Sequence, residues 1–186
     1  MNGIGLIFRS LLVDRDAMKE LSESPKFNKW CLLIILLVGI IYGLFSIQHN
    51  AEYILSFESD FLRNIVVPGI FIIGGVIMVL LTRLVFSLLL WAASRGFGGP
   101  GGLGSLNRMT TVVMVPSIIA MPAFIASNFT LLGISSIIIA LIWMYIISVR
   151  SLAVTQAFVS WKAYAAISVI FIFFISIYYI VIPPAS

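Results

Sequence analysis

Residues 66–94, VVPGIFIIGGVIMVLLTRLVFSLLLWAAS, hold a single charge, Arg83, inside an apolar run that lacks the period-two alternation of a strand. At ~1.5 Å per residue a helix of this length reaches roughly 40 Å, more than the ~30 Å hydrocarbon core of a bilayer. Lipid offers the backbone no hydrogen bonds, so the run is expected to be a helix that tilts or projects beyond the membrane surface. Four similar runs accompany it: Trp30 to about Ile47, about Thr110 to Ser127, about Thr130 to Val149, and about Ala163 to Ile182. The expected architecture is all-α: a polytopic membrane protein with five transmembrane helices in residues 30–186, preceded by a short amphipathic cytoplasmic helical segment over residues 1–29.

Composition agrees with that reading. Of 186 residues, 61% are hydrophobic and 10% charged, and the mean hydropathy is +1.16. Soluble domains carry about 25% charged residues, so this chain lacks the polar atoms to clothe a water-facing surface. A soluble globular protein is excluded, as is a disordered chain, and nucleic acid is not an expected partner despite a pI near 9.5. The bilayer is the partner that composition names.

The few charges set an expected orientation. Arg9, Arg15, Lys19, Lys26 and Lys29 precede the first span, Arg95 and Arg108 follow the second, and Arg150 and Lys162 follow the fourth; the opposite side holds only Arg63. By the positive-inside bias the amino terminus is cytoplasmic and the carboxyl terminus outside, which suits a bacterial inner membrane. Arg9 interrupts the only earlier apolar run, so no cleavable signal peptide is expected. Every carboxylate lies at or before Asp60. Four spans are therefore free of acid, which removes the usual groups for cation-coupled transport and for acid–base catalysis. One cysteine, Cys31, and one histidine, His49, supply neither a disulfide framework nor a multi-residue metal site. No catalytic, cofactor-binding or metal-binding residue is expected, and no cofactor.

Several local features invite a role. Ile4, Ile7, Phe8, Leu11 and Leu12 recur at helical spacing, as in an interfacial helix; Asp14 or Asp16 can cap a second one that Pro25 ends. This segment reads either as a membrane-surface or partner-binding element or as a lid over the protein's own bundle. Gly39 and Gly43 form a small-xxx-small pair that lets another helix approach, within the chain or in a dimer. Arg83 either snorkels to phosphate or is buried and needs carbonyls, a water cavity or an anionic group. With Arg95 or Arg108 it is a candidate contact for an anionic lipid or a partner.

The stretch 95–108, RGFGGPGGLGSLNR, matches a nucleotide-binding glycine pattern only through glycine density. That fingerprint needs a preceding strand, and here a membrane helix precedes it. A tight turn remains, whose backbone amides at Gly98 and Gly99 are candidates for an anion nest between two arginines. Pro116 and Pro122 each remove a backbone bond, so the third span is expected to be kinked or locally unwound. Asn128-Phe129-Thr130 spells a glycosylation sequon, too near the membrane to be used. Between the last two spans, Arg150 to Lys162 reads as a connector holding a short amphipathic segment, with Trp161 as an interface anchor.

In order along the chain, Asp14-Arg15-Asp16-Ala17-Met18 through Pro25, Gly98-Gly99, Pro116, Trp143 with Arg150, and Lys162-Ala163 form a pattern that resembles the Yip-domain family, the Ypt-interacting-protein-like membrane proteins, in a short prokaryotic form. The resemblance covers nearly the whole chain. It implies a five-span protein associating with other membrane proteins. In the family's eukaryotic members the partners include small Rab-type GTPases, and some prokaryotic members accompany export machinery. Those eukaryotic members carry a longer cytoplasmic tail than the 29 residues before the first span here, which leaves GTPase binding doubtful, and no site residue carries over. The leading expectation is a non-enzymatic scaffold or accessory protein, a homo-oligomer or a subunit of an export or trafficking complex, acting through its cytoplasmic face. The alternative is a transporter or lipid-handling protein using Arg83, the Pro-broken third helix, and Ser117, Ser135 and Ser136.

Overall fold

A computed structural model describes residues 3–125 and 130–181, and among these every regular element is helical. Two short helices, α1 (Gly3–Leu11) and α2 (Arg15–Glu23), are followed by a 3₁₀ turn at Pro25–Phe27 that leads directly into α3 (Asn28–His49). A short α4 (Ala51–Leu55) and a π turn at Leu62–Val66 then introduce α5 (Val67–Gly96). The chain continues as α6 (Leu103–Met114), α7 (Ser117–Ile125), α8 (Leu131–Thr155) and α9 (Ser160–Val181). Four helical stretches are long and apolar enough to cross a membrane: Pro25–His49, Leu62–Gly96, Leu131–Thr155 and Ser160–Ile177. The α6–α7 pair, bent by 42°, makes a fifth if it is counted as one broken span.

Proline explains two irregularities. Pro68 lies in the first turn of α5, where its missing N–H costs nothing. Pro116 occupies the break between α6 and α7, where the amide of Val115 turns back to the Val112 carbonyl, whereas Pro122 is accommodated inside α7. The third crossing also starts earlier than the expected Thr110, because α6 opens at Leu103. Its polar first half reads as a loop in sequence, yet its polar side chains bond to other helices. The expected connector from Arg150 to Lys162 is corrected similarly. α8 runs to Thr155 and α9 begins at Ser160, so Arg150 is helical and no amphipathic segment fits between them. Ser127, Asn128 with its sequon, and Ile182 lie outside the described residues.

Three helices end in the same way. After α5, Gly98 takes φ 82°, its amide bonds the Arg95 carbonyl at 3.0 Å, and the Gly99 amide bonds the Ser94 carbonyl at 2.8 Å. This Schellman arrangement satisfies carbonyls that a helix end leaves orphaned. The same reversal follows α1 with Val13 at φ 65°, and α8 with Ala157 at φ 50°. There the amides of Asp14 and Phe158 reach back to the carbonyls of Arg9 and Ala153. Glycine adopts this conformation freely, whereas a β-branched valine is held there against its preference.

Two cores result. The larger joins Leu6, Ile7, Met18 and Leu21 of the amino-terminal helices to Leu106, Met109, Ile147, Leu152 and Ile167, so α1 and α2 share their core with the bundle. The smaller, Ile35, Val38, Val79, Met114 and Met121, lies between α3, α5 and the broken span. Outside, Ile70, Ile73, Ile77, Ile138, Ile142 and Ile172 are exposed, as a lipid-facing girdle requires.

In lipid, helices associate through close van der Waals contact rather than through apolar burial. The α3–α5 pair shows this directly. A Cβ built on Gly75 would stand 2.6 Å from the Gly43 nitrogen and 2.7 Å from the Gly39 carbonyl, while one on Gly43 would stand 2.6 Å from the Ile72 Cα. All of these obstacles are backbone. Gly75→Ala should therefore cost about 1–3 kcal/mol, as overpacking does, whereas Gly74→Ala, open on its side, should be neutral. Thermal unfolding in a fixed detergent tests this, and equal effects of the two changes would refute it.

Asp14 caps α2, its carboxylate accepting from the amides of Asp16 and Ala17 at 3.0 and 3.1 Å and pairing with Arg9 at 2.5 Å. The Ala17 amide foremost, then the Arg9 side chain, holds this carboxyl below its ordinary value of 3.8. A group lowered on folding contributes above its unfolded pKa and loses that contribution as pH falls through the folded one. The amino-terminal pair should thus loosen below about pH 4, with a change in Trp143 fluorescence, since that indole bonds the end of α1. Asp14→Ala should flatten this response. An unaltered acid transition in that variant would show that other carboxylates govern it.

Candidate functional site

The amino-terminal helices are held to the bundle by polar contacts at their carboxyl ends. Arg108, on α6 and 8% exposed, donates from Nε to the Leu21 carbonyl at 3.0 Å. Its Nη2 donates to the Ser22 carbonyl and its Nη1 to Asn28 Oδ1. A cation at the last turn of α2 meets the negative end of that helix dipole and fills carbonyls that would otherwise be orphaned. Trp143, halfway along α8, donates its indole N–H to the Leu11 carbonyl, the last residue of α1, at 3.0 Å. Gly3 lies against the Trp30 indole so closely that a Cβ there would come within 2.3 Å of its ring. Three aromatic or cationic side chains from spanning helices therefore clamp a helical hairpin whose separate elements are α1 and α2, each 9 residues long.

The hairpin presents a second face outward. Ile4, Phe8 and Leu12, four residues apart, are 44%, 65% and 75% exposed, while Leu6, Ile7 and Ser10 are buried. α1 thus packs on the bundle with one face and leaves the other apolar and open.

The other sequence-predicted residues are placed separately. Arg83 donates from Nε and Nη2 to the Asn107 carbonyl at 3.3 and 3.2 Å, so a helix carbonyl takes its charge. Ser87 extends this contact, bonding the Arg83 carbonyl, Asn107 Oδ1 and Thr110 Oγ1. Arg95 is exposed, with its guanidinium 5.9 Å from the Trp91 ring centroid. Arg83, Arg95 and Arg108 thus have three different partners.

The glycine turn is committed too. The amides of Gly98 and Gly99 close the end of α5, and the Gly101 amide donates to Gln156 Oε1 at 2.7 Å. The anion nest is corrected accordingly, because the amides it needs are already bonded within the chain. The glycine density has another cause: a Cβ on Gly99 or Gly101 would strike the buried Gln156 amide at 2.6 or 2.2 Å. Lys162 completes this corner, donating from Nζ to the Phe97 carbonyl at 3.4 Å.

Trp143 as a donor and Asn107 and Gln156 as acceptors were missed as contact residues, since their partners lie 20 to 132 positions away in sequence. A buried-polar argument offers the one available signal: Gln156 and Trp143, set among apolar neighbours, must find partners. Cys31 is buried, its thiol 3.9 Å from the Arg108 carbonyl, which suits a packed apolar role.

No curated protein and no solved structure matches this sequence. The Yip1 domain matches residues 5–182, a range that begins within α1 and ends just past α9. The match takes in the clamped hairpin, the glycine turn and the broken span together, and the chain belongs to the Yip1 domain family.

Proposed function

We propose that this Yip1-domain membrane protein is a non-enzymatic scaffold or accessory subunit, working in the bacterial inner membrane through a cytoplasmic face formed by the hairpin, the glycine turn and the start of α9. The observation that carries this reading is the clamping of α1 and α2 by Arg108 and Trp143. It makes the hairpin a fixed surface, with the open stripe Ile4, Phe8 and Leu12 displayed on it. A rigid surface suits recognition, because ordering costs are met before the partner arrives. The partner would be a second copy or a subunit of an export or trafficking complex. Rab-type GTPase binding is not part of the proposal.

The transport alternative draws less support. Arg83 is bonded to its own chain, and the hydroxyls of Ser117, Ser135 and Ser136 bond carbonyls in their own helical turns.

Arg108→Met keeps the length and apolar stem of the side chain and removes its bonds to Leu21, Ser22 and Asn28. Charge-assisted hydrogen bonds contribute about 1.5–3 kcal/mol each, so the hairpin should detach while the spans remain inserted. Protein purified in native lipid particles and weighed by native mass spectrometry should show a complex of fixed stoichiometry that this variant loses. A lone chain in wild type, or an unchanged complex in a variant whose hairpin has become protease-sensitive, would overturn the scaffold reading.

A further inference from the structure

Between α2, the second half of α8 and the start of α9 lies a small pocket of about 130 Å³. Arg15 and Arg150 line it together with Val13, Met18, Phe158 and Ser160. Both arginines are exposed. The ion pairs among the described residues are Arg9–Asp14 and Arg63–Asp60, so neither pocket arginine is neutralised by one. The carboxylate beside Arg15, Asp14, is occupied by Arg9 and by the α2 amides. Two cations converging on one concavity, without an acid between them, repel each other until an anion enters. Ser160 opens α9, a 22-residue helix, and so brings the positive end of its dipole to the same rim.

The surroundings specify the anion. On α8 the exposed Ile138, Ile142 and Ile146 recur every fourth residue, and Arg150 is the next step of that series. On α1 the exposed Ile4, Phe8 and Leu12 lead to the turn at Val13 and then to Arg15. Each apolar series therefore leads, along the chain, to one of the two pocket arginines. Val159 and Trp161, beside pocket residues Phe158 and Ser160, are 65% and 61% exposed, which is the placement of side chains at a membrane interface. The turn that carries Arg15 is also built at a cost: Val13 is held at φ 65°, a conformation unfavourable for a side-chain-bearing residue.

We infer that this pocket binds a phosphate group through the paired Arg15 and Arg150 guanidiniums, the phosphate being that of a membrane phospholipid whose acyl chains lie along the Ile138–Ile146 track. Arginine matches phosphate geometry through two parallel donors, which lysine lacks. This site uses none of Arg83, Arg95 and Arg108, and it does not depend on the scaffold reading.

The test uses the full chain in nanodiscs of neutral lipid containing a minor fraction of phosphatidylglycerol. Retained phosphatidylglycerol is counted by native mass spectrometry after transfer to detergent. Arg15→Gln with Arg150→Gln should lower retention by about tenfold, the factor that ~1.4 kcal/mol represents. Lys26→Gln with Lys29→Gln, which removes equal charge outside the pocket, should change it less than twofold. Arg15→Lys with Arg150→Lys, which keeps the charge, should recover only part of the affinity. A second arm adds millimolar inorganic phosphate. Displacement of the lipid by free phosphate would place a phosphate site here with a soluble source, whereas resistance to it supports the lipid headgroup. Unchanged retention in the arginine pair in both arms, or equal loss in the lysine pair, would overturn the inference. Because both arginines are exposed and unpaired with acids, the variants should fold, and an unchanged melting temperature would confirm it.

Discussion

Arg108 stands where the chain's distribution of charge meets its folding problem. Side-chain carboxylates end at Asp60, yet six cations follow it. Arg63 pairs back with Asp60, and three of the others find backbone carbonyls of distant elements. Arg108 takes those of Leu21 and Ser22, Arg83 takes that of Asn107, and Lys162 takes that of Phe97. Two of these acceptor sites lie at or just past the carboxyl end of a helix, where the dipole concentrates about half a negative charge. The scarcity of acid thus becomes a mode of assembly. Cations of one helix fasten to the ends of another, and tertiary structure and helix capping become the same set of bonds.

That device decides which end of the molecule is polar. Arg108, Asn28, Cys31, Trp143, Gln156, Lys162 and the glycine turn all take part in contacts between elements separated in sequence, and they gather around the hairpin and the α5–α6 and α8–α9 turns. Three helix ends in this region close by Schellman reversals, of which one uses glycine and two force Val13 and Ala157 to positive φ. Strain of this kind persists only where surrounding contacts over-determine the backbone. At Val13 those contacts are the Arg9–Asp14 pair and the Asp14 cap on one side and the Trp143 bond to Leu11 on the other.

Much of this fold is legible in the sequence because a bilayer imposes a one-dimensional rule: long apolar runs become helices. The five runs, the capping by Asp14, and the break near Pro116 all follow from local chemistry. What escapes is whatever depends on a distant partner. Residues 103–109 look like a loop because glycine, serine, asparagine and arginine dominate them; as a helix they place Asn107 to accept from the Ser87 hydroxyl and Arg108 to donate to the Leu21 and Ser22 carbonyls. The glycines of 98–104 suggest an anion site, and only the position of Gln156, more than fifty residues on, reveals two of them, Gly99 and Gly101, as clearance for a side-chain amide. The αL residues Val13 and Ala157 carry no glycine to announce them. Arg15 and Arg150, far apart in sequence, become neighbours only once α2 is laid along α8.

The two ends of the bundle consequently differ in what they can exchange. Along α3 and α5 the contact is backbone against backbone at Gly39, Gly43 and Gly75, with no polar group to trade and no room for another ligand. Close packing of this kind has a single arrangement. Around the hairpin the contacts are hydrogen bonds from long side chains to carbonyls, and such bonds have equivalents: a partner's backbone or a lipid phosphate can accept the same donors. In a membrane, where apolar surface gains little by leaving lipid for protein, the polar end is the part of the chain whose contacts have equivalents of comparable free energy. On the proposed scaffold reading, recognition belongs to that end, where the few charges and the open stripe of α1 lie together.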